Sequence, residues 1–248
     1  MNKSILAYLK IEIKLFFREP LQIVFSFFFP AVMFAIFASV FSGNLSNSKD
    51  YFAVYIPGYF TTVIYIVATF MIGYRMVEDK ASGIYKRLKV TPFSMKDIYK
   101  SMIIKSFILC TIGVIEILIL SKYLYKVSLT SYWIQFIISF IIANIFAVAA
   151  GFVIFSLCSN GKQAMSLIII TFYPLMMLGD NAFPLKMMPI FLQKIAPIIN
   201  PLYHLNQIMR ASWKGNLFET KTSLIYITIT ILLFCYISYK YDRNIDNF

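Results

Sequence analysis

The sequence predicts an all-α integral membrane protein. It has six transmembrane helices, an amphipathic N-terminal helix at the interface, and short outer-leaflet helices between spans five and six. Three observations carry this reading. Hydrophobic residues make up 60% of the 248 and charged residues 14%, with mean hydropathy +0.74. Soluble domains run at about 45–50% apolar and about 25% charged, so a soluble globule could not cover this much apolar surface, and disorder needs the opposite composition. Six segments approach the ~20 apolar residues that cross a hydrocarbon core. The basic residues also collect on alternate loops. The chain is read as one transmembrane domain, 1–248.

Residues 1–20, MNKSILAYLKIEIKLFFREP, are too charged to span. At 100° per residue Lys3, Lys10, Lys14 and Arg18 share a narrow arc, and Leu6, Leu9, Ile13, Phe16 and Phe17 a broader one, the pattern of a helix lying in the interface. Pro20 turns the chain into the bilayer. The spans are placed at about 21–41, 52–74, 101–120, 133–157, 164–178 and 223–239, with kinks at Pro30 and Pro174. The first apolar run is span-length and its leader holds Glu12 and Glu19, so it is read as an uncleaved span, not a signal peptide, whose apolar core is about 7–15 residues.

Fifteen Lys and Arg fall on the side of the N-terminus and the 75–100 segment, against eight on the other. Cytoplasmic loops gather positive charge, so both termini are expected in the cytoplasm and the membrane is expected to be the plasma membrane. The +12 net charge thus reports topology and gives no reason to invoke nucleic acid. Cys110, Cys158 and Cys235 lie in or beside apolar runs and form no CxxC, so neither a metal site nor a disulfide framework is expected.

Two non-spanning stretches hold the candidate functional residues. The cytoplasmic stretch 75–100 carries the acidic pair Glu78-Asp79, then Gly83, a basic cluster including Lys86 and Arg87, and Pro92. Gly83 permits a sharp bend and Ser94 can cap the helix that follows. Two readings stand side by side on composition: a solvated, lipid-facing basic loop, or a short helix offered to a soluble partner. The outer stretch 179–222 stays apolar but is punctuated by Pro184, Pro189, Pro197 and Pro201, which suits short helices dipping into the outer leaflet. Glu116 is the one acid inside a predicted span. An intramembrane carboxylate is a functional candidate by default, but its place in the outer third favours a structural role, paired with Lys122 or snorkelling outward. His204, the only histidine, is read as an interfacial packing residue.

These landmarks resemble the ABC-2-type permeases, membrane subunits of ABC exporters with the general architecture of the G-subfamily transporters. Arg18-Glu19-Pro20 stands where an Arg-x-Pro commonly precedes the first span, and Pro57-Gly58 opens the second at its outer end. Glu78-Asp79, Gly83, Thr91-Pro92 and Ser94 resemble the family's cytoplasmic "E…G-x8-P-x-S" segment. Phe183-Pro184 with Pro189 is similar to the opening of the outer loop, and Asn200-Pro201-Leu202 with Arg210 and Gly215 to the "NPL…R…G" stretch before the last span. The sequence departs from the family at His204 and Gln207, where a tyrosine and an acid are frequent.

The chain has no GxxxxGK[ST], so it holds no P-loop for ATP hydrolysis. The resemblance implies a separate ABC ATPase subunit in two copies, carrying ATP and Mg, and a second permease copy or paralogue. It implies that Arg18 and the 78–94 segment touch the ATPase and that the outer-loop residues form a gate. No cofactor is expected on this chain. The 25 Phe, 17 Tyr and 12 Met offer adaptable apolar surface, and amphipathic peptides are the expected cargo, with hydrophobic drugs or polysaccharide as alternatives. An ATP-independent channel or secondary transporter is the reading from another class, though this chain offers few of the midplane ion-coupling groups such transporters use.

Overall fold

The computed structural model describes residues 3–42, 48–88, 94–127, 129–181 and 185–242, and the regular structure among them is helical throughout. The amphipathic segment forms α1 (Lys3–Phe16). Its buried stripe is Ile5, Leu9, Glu12 and Phe16, spaced three and four apart, while Leu6, Ile11 and Phe17 are exposed. The expected apolar arc is thus divided: Leu9 and Phe16 turn into the bundle, and Leu6 and Phe17 face away from it.

A tight turn leads into a helical run over 20–42, made of α2 (Pro20–Ile23), a π-helical turn (Val24–Phe28) and α3 (Phe29–Ser42). Pro30 can neither donate to the carbonyl of Ser26 nor sit close to it, and the widened turn before it absorbs that mismatch without breaking the helix. The second run is also continuous. α4 (Ser48–Ala68) passes through a π-helical turn (Thr69–Tyr74) directly into α5 (Arg75–Ala81).

The expected 75–100 loop is therefore mostly helix. α5 prolongs the second run and ends at Ser82-Gly83, where the Ser82 and Gly83 amides donate back to Glu78 and Lys80 and Gly83 adopts φ +71°. α6 (Ile84–Leu88) follows. Ser94 then opens α7 (Met95–Tyr125) with a reciprocal cap: its hydroxyl accepts from the Asp97 amide, and the Asp97 carboxylate accepts from the Ser94 amide. α8 (Trp133–Leu157) and α9 (Gly161–Met177) come next, and Pro174 sits inside α9 without ending it. The outer stretch folds as α10 (Ile190–Ile199) and α11 (Pro201–Lys214), capped by Asn200 at the start and by Gly215 at φ +88° at the end. α12 (Lys221–Asp242) closes the bundle.

Among the described residues, four helical stretches are long and apolar enough to cross a membrane: Tyr55–Ala81, Met95–Tyr125, Trp133–Leu157 and Lys221–Tyr241. The 20–42 run and α9 join the same two ends. Tyr125, at the end of α7, donates to the Ala35 carbonyl of α3, and Gly161 at the start of α9 lies against Glu78 of α5. The most apolar part of Tyr55–Ala81 is wholly buried, whereas only 11% of that of Lys221–Tyr241 is. The second run is thus the axis of the fold, with α3, α7, α8, α9 and α11 packed around it. A Cβ at Gly151 of α8 would stand 2.8 Å from Ile72 Cβ, so the missing side chain is what lets α8 come this close.

Candidate functional site

The end of the bundle that carries α5, α6 and the start of α7 is fastened by ion pairs, one of them buried. Lys105 Nζ of α7 donates to Glu12 Oε2 of α1 at 2.8 Å, with both side chains almost wholly buried. Taking two charges out of water is costly, so the pair persists only because each neutralises the other, and its main effect is to fix α1 on α7. Arg75, first residue of α5, reaches Glu19 at 2.5 Å and Asp79 one turn on at 3.3 Å. Asp79 is buried. The α1 phenol of Tyr8 lies in the same cluster, where burial first and the nearby Glu12 carboxylate second push its pKa well above the usual range.

Two contacts carry this cluster across to the other helices. Glu78 lies against the first turn of α9, so close that a Cβ at Gly161 would stand 2.6 Å from Glu78 Oε1. A carboxylate there faces the positive end of the α9 dipole. Lys80 sits over the Phe155 ring of α8 at 5.4 Å, and Tyr85 of α6 meets the same ring edge-on. Through Arg75, Lys80 and Glu78, α5 thereby touches the turn before the first run, α8 and α9 at once.

Of the residues expected here, Glu78, Asp79 and Gly83 stand together. Lys86 and Arg87 are exposed on α6, and Arg18 is exposed beside the cluster, the ion pair being made by its neighbour Glu19. Ser94 is exposed as the α7 cap; Pro92 lies outside the described residues. Sequence reasoning missed Glu12, Arg75 and Lys105. The signal for Glu12 was present: an acid three residues after Leu9 and four before Phe16 shares their face of the helix.

The opposite end holds a second polar cluster. Arg210 of α11 donates through one nitrogen to the Asp180 carboxylate and through another to its carbonyl, with the guanidinium over the Tyr55 ring at 5.1 Å. Asn206 donates to the Gly179 carbonyl and accepts from Thr61, and Asn181 donates to Thr62 at 2.9 Å. Asn200 donates to the Leu175 carbonyl at 2.8 Å. Gly58 packs on Asn181, 3.1 Å separating its virtual Cβ from Oδ1. Pro57, Gly58, Asn200, Pro201 and Arg210 are thus gathered where α4, α9 and α11 meet, while Pro189 is exposed at the start of α10. Phe183 and Pro184 lie outside the described residues. Asp180, Asn206 and Thr61 were not foreseen.

Glu116 is half-buried on α7, and among the described residues it forms no ion pair, so the expected pairing with Lys122 is not made. His204 is a packing residue, stacked on Tyr226 with ring centroids 4.0 Å apart, Nε2 2.7 Å from the Pro197 carbonyl and Nδ1 3.1 Å from Ser223 Oγ. Burial holds its pKa below the usual imidazole range. Among the described residues no three His, Cys, Asp or Glu side chains gather as a metal site would require.

Long apolar helices around a buried axis suit a protein embedded in a membrane. The model of the ABC-2 type transporter family matches residues 3–213, from α1 through α11. The chain belongs to that family. No curated protein matches it. As an ABC-2 membrane protein it is the permease of an ABC transporter: it supplies the membrane path and does not itself hydrolyse ATP, and the family's permeases work with an ABC ATPase.

Proposed function

We propose that this ABC-2 permease is the membrane subunit of an exporter in the plasma membrane, crossing six times with both termini in the cytoplasm. In this reading two permease chains form the path, and two ATPase subunits, carrying ATP and Mg, dock on the basic end. The expected cargo is an amphipathic, toxin-like peptide. The sequence as a whole resembles the membrane subunit of the staphylococcal phenol-soluble-modulin exporter, and a bundle with few intramembrane charges suits such cargo better than a charged polysaccharide.

One observation carries the coupling role: α5 is an unbroken continuation of the buried central run and contacts both Glu19, in the turn that leads into the 20–42 run, and α9. A push on α5 is therefore delivered to three passes of the bundle. Coupling of this kind travels through packed, two-state elements, and substitutions along it change coupling by about 0.5–2 kcal/mol, roughly two- to thirtyfold. Glu78→Lys places a cation at the positive end of α9. It should lower peptide-stimulated ATPase activity and transport of the reconstituted complex within that range, while insertion and dimer formation persist. Wild-type stimulation in Glu78→Lys would remove α5 from the coupling path. Transport driven by an ion gradient and indifferent to ATP and vanadate would end the exporter reading.

A further inference from the structure

A cavity of about 420 Å³ opens beside α5, in the size range of ligand sites, about 300–1,000 Å³. Its walls come from three passes: Gln22 of the first run, Phe70 and Glu78 of the second, and Lys162, Met165 and Ile169 of α9. One π-helical turn supplies part of its wall, and the other packs on that wall through Phe25. Val24–Phe28 begins two residues after Gln22, and Thr69–Tyr74 supplies Phe70, which stacks on Phe25 at 5.9 Å. Such turns occur often at functional sites.

Gln22 is the unusual member. Its side chain is 95% buried, and its amide nitrogen donates to Glu19, which fixes the amide's orientation. The carbonyl oxygen, Oε1, has no hydrogen-bond partner among the described residues. A buried acceptor left unpaired is costly and calls for a donor from outside the chain. Glu78 brings a carboxylate to the same cavity, and among the described residues no basic side chain lies within ion-pair distance of it. Lys162 is exposed at the rim, on a stem long enough to carry its charge toward water. Phe70, Met165 and Ile169 form an apolar wall beside these acceptors.

We infer that this cavity binds the ammonium head of an amphiphile, with N–H groups on Gln22 Oε1 and the Glu78 carboxylate and the apolar body along Phe70, Met165 and Ile169. The inference rests on the exporter reading for its cargo but concerns binding alone. A lysine side chain of an amphipathic peptide and the head group of phosphatidylethanolamine offer the same chemistry.

The test uses the permease–ATPase complex in phosphatidylcholine nanodiscs and a fluorescent amphipathic helical peptide, in its lysine form and with every lysine acetylated. The lysine form should bind on the order of tenfold more tightly, the scale of one charge-assisted hydrogen bond. In Gln22→Leu, of similar size, that ratio should fall severalfold, Glu78 remaining, whereas a merely structural loss would weaken both peptides alike. Met165→Trp, which fills the cavity, should weaken both. Equal affinities in the wild type, or an unchanged ratio in Gln22→Leu, would overturn the inference. Adding phosphatidylethanolamine separates the sources: a ratio that survives assigns the site to the peptide, and one that collapses assigns it to the lipid head group. Lysine-dependent binding without ATPase stimulation would defeat the exporter reading and leave the site standing. Stimulation that ignores the lysines would do the reverse.

Discussion

Lys105 and Glu12 show what a charge does when water is withdrawn. Removing one partner leaves the other ionised in a place that cannot solvate it, at a cost of about 3–5 kcal/mol, whereas replacing both by apolar groups is often neutral or better. Lys105→Met should therefore lower the unfolding midpoint in detergent substantially, and Lys105→Met with Glu12→Leu should restore most of it. A double variant no more stable than the single would mean that the pair does not hold α1 in place. His204 behaves differently. Its folded pKa lies below the ordinary value of about 6.5, so the folded state resists the proton that the unfolded chain accepts. Its contribution is complete above that value and is lost as pH falls through 6.5 toward the folded pKa. Thermal melts between pH 7.5 and 5.5 should show a decline that is smaller in His204→Gln.

At the scale of elements, the apolar runs were legible because a span must satisfy its own backbone and present apolar side chains over a fixed length. The expected fourth span, 133–157, coincides with α8, the fifth overruns the end of α9 by one residue, and the others fall inside the observed helices. The extra turns are the part that was not legible. Arg75 to Ala81 read as loop because charge marks the end of a lipid-facing segment. These residues face other protein instead, where Glu19 and the α9 terminus meet their charges, and so the helix continues. The polar clusters escaped for a related reason: Glu12 with Lys105, and Asp180 with Arg210, are pairs 93 and 30 residues apart, and no local spacing announces them. Where chemistry was local, the sequence sufficed, as at Ser94-Asp97 and at Gly83. The Gly83 turn yields its own prediction. Proline cannot adopt φ +71° and would delete the amide that donates to Lys80, so Gly83→Pro should uncouple ATPase stimulation. Gly83→Ala, at about 1–2 kcal/mol of left-handed strain, should do so only in part. Equal, wild-type stimulation in both would show that the turn's shape is irrelevant to transport.

For the whole molecule, the two polar clusters lie at opposite ends of the bundle, and sidedness decides which meets the ATPase. With Cys110, Cys158 and Cys235 replaced, cysteines at Asn47 and Lys214 should react with an impermeant thiol reagent from outside intact cells. A cysteine at Asn244 should react only once the membrane is opened. The reverse pattern would place the Arg210–Asp180 cluster in the cytoplasm and invert the proposed direction of coupling.

The buried central run also bears on how the protein is made. Its most apolar stretch has mean hydropathy 1.6, against 2.4 and 2.6 for the corresponding stretches of α7 and α8, and it carries Thr61, Thr62 and Thr69 in the interior. Such a helix is a modest candidate for lipid on its own merits, and once its neighbours have closed around it there is no face by which it could enter. Chain order resolves this. The run leaves the ribosome before α7, α8, α9 and α11, so it can wait in the bilayer beside the first pass while later helices assemble on it as on a template. Its polar side chains then exchange lipid for protein partners one neighbour at a time.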